Sequence, residues 1–326
     1  MTAAHVVVAS DEARHSPDAD DLWNESYYAD FVQADGTWGG WLRLGLYPNR
    51  QVAWWTAWIV GRERRGVCSV DYTVPVPAGT GLVAEEAGTR IELDLRRPLA
   101  EFRISADAPA EVFAHPEDAY TGTGATAARL AVDLTWTTDG TPYHYDLTSR
   151  YEIPCLVSGT VTIDGEALAV DGQGQRDHSW GVRDWWAFGW CWSSARLDDG
   201  TRVHLADIRM PGFPIAFGYV QGPPGGTGGT GGTGGTGGTV HPITELGVSE
   251  VVGAHGFPTS ARIDIGTAGT GGTALGIDVT PLAYGPVLLR NDDGRTSHFP
   301  RAMVRYRADD GRAGLGWIEW NQPDPG

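Results

Sequence analysis

Along much of the chain, apolar and polar residues alternate one for one. "TRIELDLRR" sets Ile91, Leu93 and Leu95 on one side, and "ARLAVDLTW" repeats the pattern with Leu130, Val132, Leu134 and Trp136. A period of two is what a strand with one buried face requires, because successive side chains leave a pleated sheet on opposite faces. No segment longer than about 12 residues carries a helical period; a short helix is expected only within 18–31 or 117–129. Asp-Gly pairs punctuate the runs at Asp35-Gly36, Asp139-Gly140, Asp164-Gly165, Asp171-Gly172, Asp199-Gly200, Asp293-Gly294 and Asp310-Gly311. A tight hairpin turn needs positive φ, which Gly adopts freely and Asp tolerates. Hairpins are therefore predicted in "TVTIDGEALAV", "ARLDDGTRVHLADIRM" and "RAMVRYRADDGRAGLGWIEW". Many short strands separated by turns imply an all-β, antiparallel barrel or sandwich.

Two stretches break the pattern. "GPPGGTGGTGGTGGTGGT", 222–239, cannot bury enough surface to offset its ordering entropy and is expected to be a flexible loop between strands. No Gly-Lys-Ser/Thr follows it, so it is not a phosphate loop. "GTAGTGGTALG" at 266–276 is a shorter case. Near 152–157, "EIPCLVSG" separates two strand-rich halves, which predicts domains at 1–155 and 156–326.

Composition narrows the chemistry. The 326 residues suffice for two domains, and the net charge of −17 argues against nucleic acid and anionic membrane surfaces. No apolar run reaches the roughly 18 residues that cross a bilayer. The first residues lack a basic region before their short apolar patch, so no signal peptide is expected. Cys68, Cys155 and Cys191 are odd in number and lack metal-ligand spacing, consistent with reduced thiols and a cytoplasmic location. The nine His are scattered, and there is no HExxH, GxSxG elbow or nucleotide-binding GxGxxG, so neither metal nor cofactor is expected.

One segment stands apart: "RDHSWGVRDWWAFGWCW", 176–192. As an extended strand, 185–197 sets Trp186, Phe188, Trp190 and Trp192 against a row of small residues. Such a row is either plain core or the wall of an apolar binding site. The adjoining charges are costly to bury unless paired or used. Arg176-Asp177 and Arg183-Asp184 are expected to form a structural charge network, with His178 and Trp180 facing the interior. In the next strand, "RVHLADIRM", Val203, Leu205, Asp207 and Arg209 share a face. Asp207 is then either an ion-pair partner or a proton donor held in an apolar pocket.

"GQRDHSWGVRDWW" followed by "HLADIR" resembles the two-domain lipocalin-like proteins related to carotenoid 1,2-hydratase (hydroxyneurosporene synthase), a group that includes fungal Diels–Alderases. "LWNESYYADF…GGWLRLGLYPN" and "GLGWIEWNQ" extend the resemblance more weakly over most of the chain. It implies two lipocalin-like β domains, with His178 and Trp180 matching a His-x-Trp pair and Asp207 standing where the hydratase has its acid. Leu205 stands where the hydratase has Tyr. The implied chemistry is acid-catalysed hydration, cyclisation or isomerisation of an apolar polyene or terpenoid-like substrate, without a cofactor. Trp186, Phe188, Trp190, Trp192 and Leu205 would line the site. A non-catalytic carrier of a small lipophilic ligand and a pericyclic confinement catalyst are the competing expectations.

Overall fold

The computed structural model describes residues 6–145, 147–223, 238–267 and 274–324. Most of the expected Gly-Gly-Thr loop, 224–237, and the centre of the second one, 268–273, lie outside the described residues. Among the described residues there are strands, turns and four short 3-10 turns, and no α-helix. The structure is all-β, as the alternation requires.

The first sheet contains β1 (Trp23–Gln33), β2 (Trp38–Tyr47), β3 (Val52–Gly61), β4 (Arg64–Pro75), β5 (Val83–Glu86), β6 (Thr89–Arg97), β7 (Glu101–Phe113), β8 (Thr126–Thr138), β9 (Tyr143–His144), β10 (Arg150–Ile163) and β11 (Glu166–Val182). Its path β4-β3-β2-β1-β11-β10-β8-β7 returns to β4, closing an eight-stranded antiparallel barrel. The second sheet contains β12 (Gly189–Leu197), β13 (Arg202–Arg209), β14 (Ile215–Gln221), β15 (Val240–Val252), β16 (Pro258–Thr267), β17 (Ala274–Tyr284), β18 (Val287–Arg290), β19 (Thr296–Phe299), β20 (Arg301–Ala308) and β21 (Ala313–Pro323). There β12 pairs with both β13 and β21, so this sheet also returns on itself.

The stretches expected to hold a short helix do not form one. Residues 23–31 are the start of β1, and 117–129 contains the end of a 3-10 turn, Pro116–Tyr120, and the start of β8. The Asp164-Gly165 hairpin joins β10 to β11 with φ of 50° and 86°, both positive as a tight turn demands. Asp171-Gly172 behaves differently and lies inside β11. A Cβ at Gly172 would sit 2.3 Å from the Val32 carbonyl oxygen, and one at Gly174 would sit 1.9 Å from that of Asp30. Glycine is needed there for close approach of β11 to β1, not for a turn.

The chain divides into two compact units, the first running to Arg183 and the second from Asp184, with Val60–Arg64 and Ala114–Gly124 grouped with the second. The expected boundary at 155/156 falls between consecutive residues of β10, whose pairing to both β8 and β11 runs straight through it. The "RDHSWG" segment accordingly lies in the first unit, on β11, and not in a C-terminal domain. The first unit's core gathers Tyr27, Phe31, Leu42, Leu44, Phe102, Trp136, Tyr151 and Ile153; the second gathers Cys191, Leu197, Leu205, Ile277, Tyr306 and Trp320. All three cysteines are free and buried. No helix among the described residues is long and apolar enough to cross a membrane.

Candidate active site

The register of three neighbouring strands builds a polar cluster inside the first barrel. Tyr27 of β1, His178 of β11 and Tyr151 of β10 are direct cross-strand partners, so all three side chains leave the sheet on the face that carries the apolar core. Two residues along, Glu25 stands opposite Trp180 on the same face. His178, Glu25, Tyr27 and Tyr151 are each at most 3% exposed.

His178 is the centre. Its Nε2 lies 2.8 Å from Glu25 Oε1, and its Nδ1 lies 3.2 Å from the Tyr151 hydroxyl. The Tyr27 ring stacks on the imidazole with centroids 4.2 Å apart. A second imidazole meets the same carboxylate. His15, in the segment preceding β1, brings Nδ1 to 2.7 Å from Glu25 Oε1, and its backbone N–H donates to Oε2 at 2.7 Å. The His15 ring, 26% exposed, lies flat on Trp180. Beyond Tyr151 the chain of contacts continues: its hydroxyl donates to Glu12 Oε1 at 3.2 Å, and Glu12 holds Arg176 Nη1 at 2.5 Å. The Tyr27 hydroxyl and two further Arg176 nitrogens, Nε and Nη2, are buried with no hydrogen-bond partner.

Burial and pairing set the charges. Burial alone would raise the Glu25 carboxyl, but hydrogen bonds from His15 and His178 hold it below its ordinary range. Burial pushes His178 below its ordinary value despite Glu25 beside it, which favours a neutral ring. Burial likewise pushes Tyr27 and Tyr151 up, so both keep their protons. The arrangement is a run of titratable groups leading from the half-buried His15 to the interior Tyr151. Among the described residues, His15, Glu25 and His178 also form a group able to hold a metal ion, their ligand atoms all within 4.8 Å of one another.

The other residues singled out by sequence fall elsewhere. Arg176 shares the interior face with His178 and Trp180, since period two groups the three, whereas Asp177 lies on the opposite face and pairs with Arg150 at 2.7 Å. Arg183 donates to Ser179 at 3.3 Å, and burial brings it down to about 10. Asp184 pairs with Arg295 in the second unit. Arg176 is thus parted from Asp177, because alternate residues of β11 face apart, while Arg183 lies within electrostatic reach of both Asp177 and Arg150.

Asp207 belongs to the second unit, whereas His178 belongs to the first. Its cross-strand partner is Cys191, so it shares a face with Cys191 and not with Trp190 or Trp192. Arg209 Nε donates to Asp207 Oδ2 at 3.0 Å and reaches on to Glu250. Leu205 is fully buried in the second core. Trp190 and Trp192 leave β12 on the face opposite that core; Trp190 Nε1 donates to Glu319 Oε1 at 2.8 Å, and the Arg301 guanidinium lies 5.9 Å over the Trp192 ring. Trp186 sits in the turn before β12, its Nε1 donating to the Leu289 carbonyl, and Phe188 is half-buried beside Trp190. The structure thus brings together His178 and Trp180 with Arg176, and separately Trp190 and Trp192. It adds His15, Glu25, Tyr27, Tyr151 and Glu12, none of them anticipated. In "WNESYYADF" the alternation puts Glu25 in phase with Tyr27, Ala29 and Phe31, and an acid on an apolar face was the signal available.

Comparison with known proteins follows the fold. A family model described as a domain of unknown function, DUF7064, matches residues 8–324. No curated protein matches the chain in sequence. Kievitone hydratase from Nectria haematococca superposes with a TM-score of 0.62 at 11% identity, over 98% of this chain and 94% of that one. An AttH candidate from Nitrosomonas europaea gives 0.56 at 16% identity, over 93% and 94%. CghA gives 0.54 at 11% identity, over 93% and 88%. At these identities the likeness is one of fold, and a lipocalin-like fold bears out the resemblance carried by the sequence motifs.

Proposed function

The chain belongs to the DUF7064 family, and from its lipocalin-like fold and interior cluster we propose that it is a hydratase- or cyclase-type enzyme. Its substrate is an apolar polyene or terpenoid-like molecule, and the chemistry is proton transfer to carbon without an organic cofactor. The observation that carries this reading is His178, held between Glu25 and Tyr151 inside an apolar barrel. A buried imidazole with a carboxylate on one nitrogen and a phenol on the other is suited to giving and reclaiming a proton.

In the hydration case, the alkene π pair takes a proton from His178 in its imidazolium form, an acid strengthened by burial, and leaves a carbocation. A water oxygen then bonds to that cation. The water's surplus proton returns to His178, so the net change is addition of one water. In cyclisation or isomerisation a second alkene or an adjacent C–H bond supplies the electron pair in place of water. The Tyr27 and Trp180 rings offer π faces to the cation, worth roughly 0.5–2 kcal/mol per contact. Half-buried His15 connects His178 to solvent through Glu25, which allows the proton to be exchanged between turnovers.

The test is made in heavy water, with linear isoprenoids and a bacterial lipid extract as substrates and mass spectrometry as the readout. Enzyme-dependent deuterium on carbon, lost in His178→Asn, supports the reading. A retained lipophilic compound without deuterium incorporation would indicate a carrier or a confinement catalyst instead.

A further inference from the structure

Tyr151 poses a proton-counting problem. Its hydroxyl has one hydrogen and two neighbours at 3.2 Å, the His178 Nδ1 and the Glu12 Oε1. Glu12 is well placed to accept it, since that carboxylate also takes the Leu99 N–H at 2.8 Å and the Arg176 guanidinium. If Tyr151 donates to Glu12, His178 must donate its Nδ1–H to the Tyr151 oxygen. The Nε2 lone pair then faces the Glu25 carboxylate oxygen at 2.8 Å. In that tautomer the lone pair and the anionic oxygen call for a cation between them, whereas the other tautomer places the Nε2 proton there.

Either a proton or a metal can supply that cation. His15 Nδ1 converges on the same Glu25 oxygen at 2.7 Å, so two imidazole nitrogens meet one carboxylate oxygen, the ligand atoms all within 4.8 Å of one another. We propose that His15, Glu25 and His178 bind a divalent transition-metal ion of the zinc class. Three protein ligands with a fourth position open is the arrangement of a catalytic, rather than structural, zinc site. Tetrahedral ligands at zinc distances stand about 3.3 Å apart, so the two contacts to Glu25 would open by about half an ångström, and the two imidazole nitrogens, within 4.8 Å of each other, would settle at a similar spacing.

The surroundings fit a metal-bound imidazole. A ligating His usually donates its remaining N–H to an acceptor that fixes its tautomer and orientation. Tyr151 fills that role for His178, backed by Glu12 and Arg176. Glu25 is held by the His15 backbone N–H on its second oxygen, leaving Oε1 for the ion. Trp180 holds the His15 ring by stacking at 3.7 Å. This inference concerns the same cluster as the proposed proton chemistry, and it deepens that reading: the ion would occupy the place of the shared proton and present its open position to water.

The experiment uses the full-length protein, stripped with a chelator and titrated with Co²⁺, whose ligand-field absorption reports coordination without any need for activity. One equivalent giving intense visible bands of a tetrahedral site is expected, displaced by Zn²⁺. His15→Ala and Glu25→Gln should abolish the bands, and Tyr151→Phe should weaken binding by about 10–100-fold. Thermal melts establish that each variant is folded; His15→Ala, altering a half-buried ring outside the strands, is the decisive one. Absence of stoichiometric binding, or equal binding by His15→Ala and the wild type, overturns the metal site. Either result is independent of deuterium incorporation, so failure of the metal inference and failure of the enzyme reading are told apart.

Discussion

His15 lies flat on Trp180, ring centroids 3.7 Å apart and planes 8° from parallel, although the two residues come from opposite ends of the first unit's sequence. The contact pins the segment before β1 against β11, and it delivers a second imidazole to the carboxylate already bound to His178. The consequences of that convergence can be measured.

Removing the relay should remove turnover while leaving the fold. His178→Asn keeps a hydrogen-bonding side chain of similar reach but cannot carry a proton, and deuterium incorporation should fall by about 10²–10⁴-fold. Asp207→Asn should leave incorporation within about threefold of wild type, because Asp207 sits in the second unit paired to Arg209, and a partly exposed pair of this kind contributes at most about 1 kcal/mol. The reverse ranking of the two variants would return the acid role to Asp207.

Acid should destabilise the chelator-treated protein in two stages. The folded His178 sits below its ordinary 6.5, so below that pH the unfolded chain takes up a proton that the native state refuses. Glu25 sits below its ordinary 4.5, and its stabilising contribution is present above that value and lost as pH falls through the folded one. Each proton contributes a slope of up to about 1.4 kcal/mol per pH unit. Melting temperatures taken from pH 8 to pH 4 should begin to fall near pH 6.5, and His178→Gln should flatten that first stage. A wild-type curve level down to pH 5 would contradict the neutral, buried imidazole.

Glu12 and Arg176 are buried at 1% and 3% exposure and depend on each other. Glu12→Gln strands a guanidinium in the barrel and should cost about 3–5 kcal/mol in denaturant unfolding. The double change Glu12→Gln/Arg176→Met removes the stranded charge and should recover a large part of that loss. Additive losses would mean that the pair is not coupled.

Gly174 lets β11 approach β1. Alanine there would place its Cβ 1.9 Å from the Asp30 carbonyl oxygen, a clash with backbone that should cost about 3 kcal/mol or more. Gly247→Ala is the control: its Cβ would stand 3.9 Å from Asp264 Cβ, in ordinary contact, and should change stability by less than about 1 kcal/mol. Circular dichroism melts of both variants check the contrast.

Much of this protein is determined locally. The period of two fixed Leu130, Val132, Leu134 and Trp136 as one buried row, and the Asp164-Gly165 turn followed from the φ values that only certain residues adopt. The same period placed Arg176, His178 and Trp180 on one face. The hairpin at Asp199-Gly200 even carries the register that sets Asp207 across from Cys191 and off the Trp190–Trp192 face. Tertiary structure alone decided what His178 meets. Glu25 and Tyr151 reach it through the pairing of β1 and β10 with β11, and His15 through a segment with no periodic pattern at all. Alternation states which face a side chain leaves from, because that is a property of one strand's geometry. Which side chains share a point in space depends on barrel closure between strands distant in sequence, and no single strand encodes that.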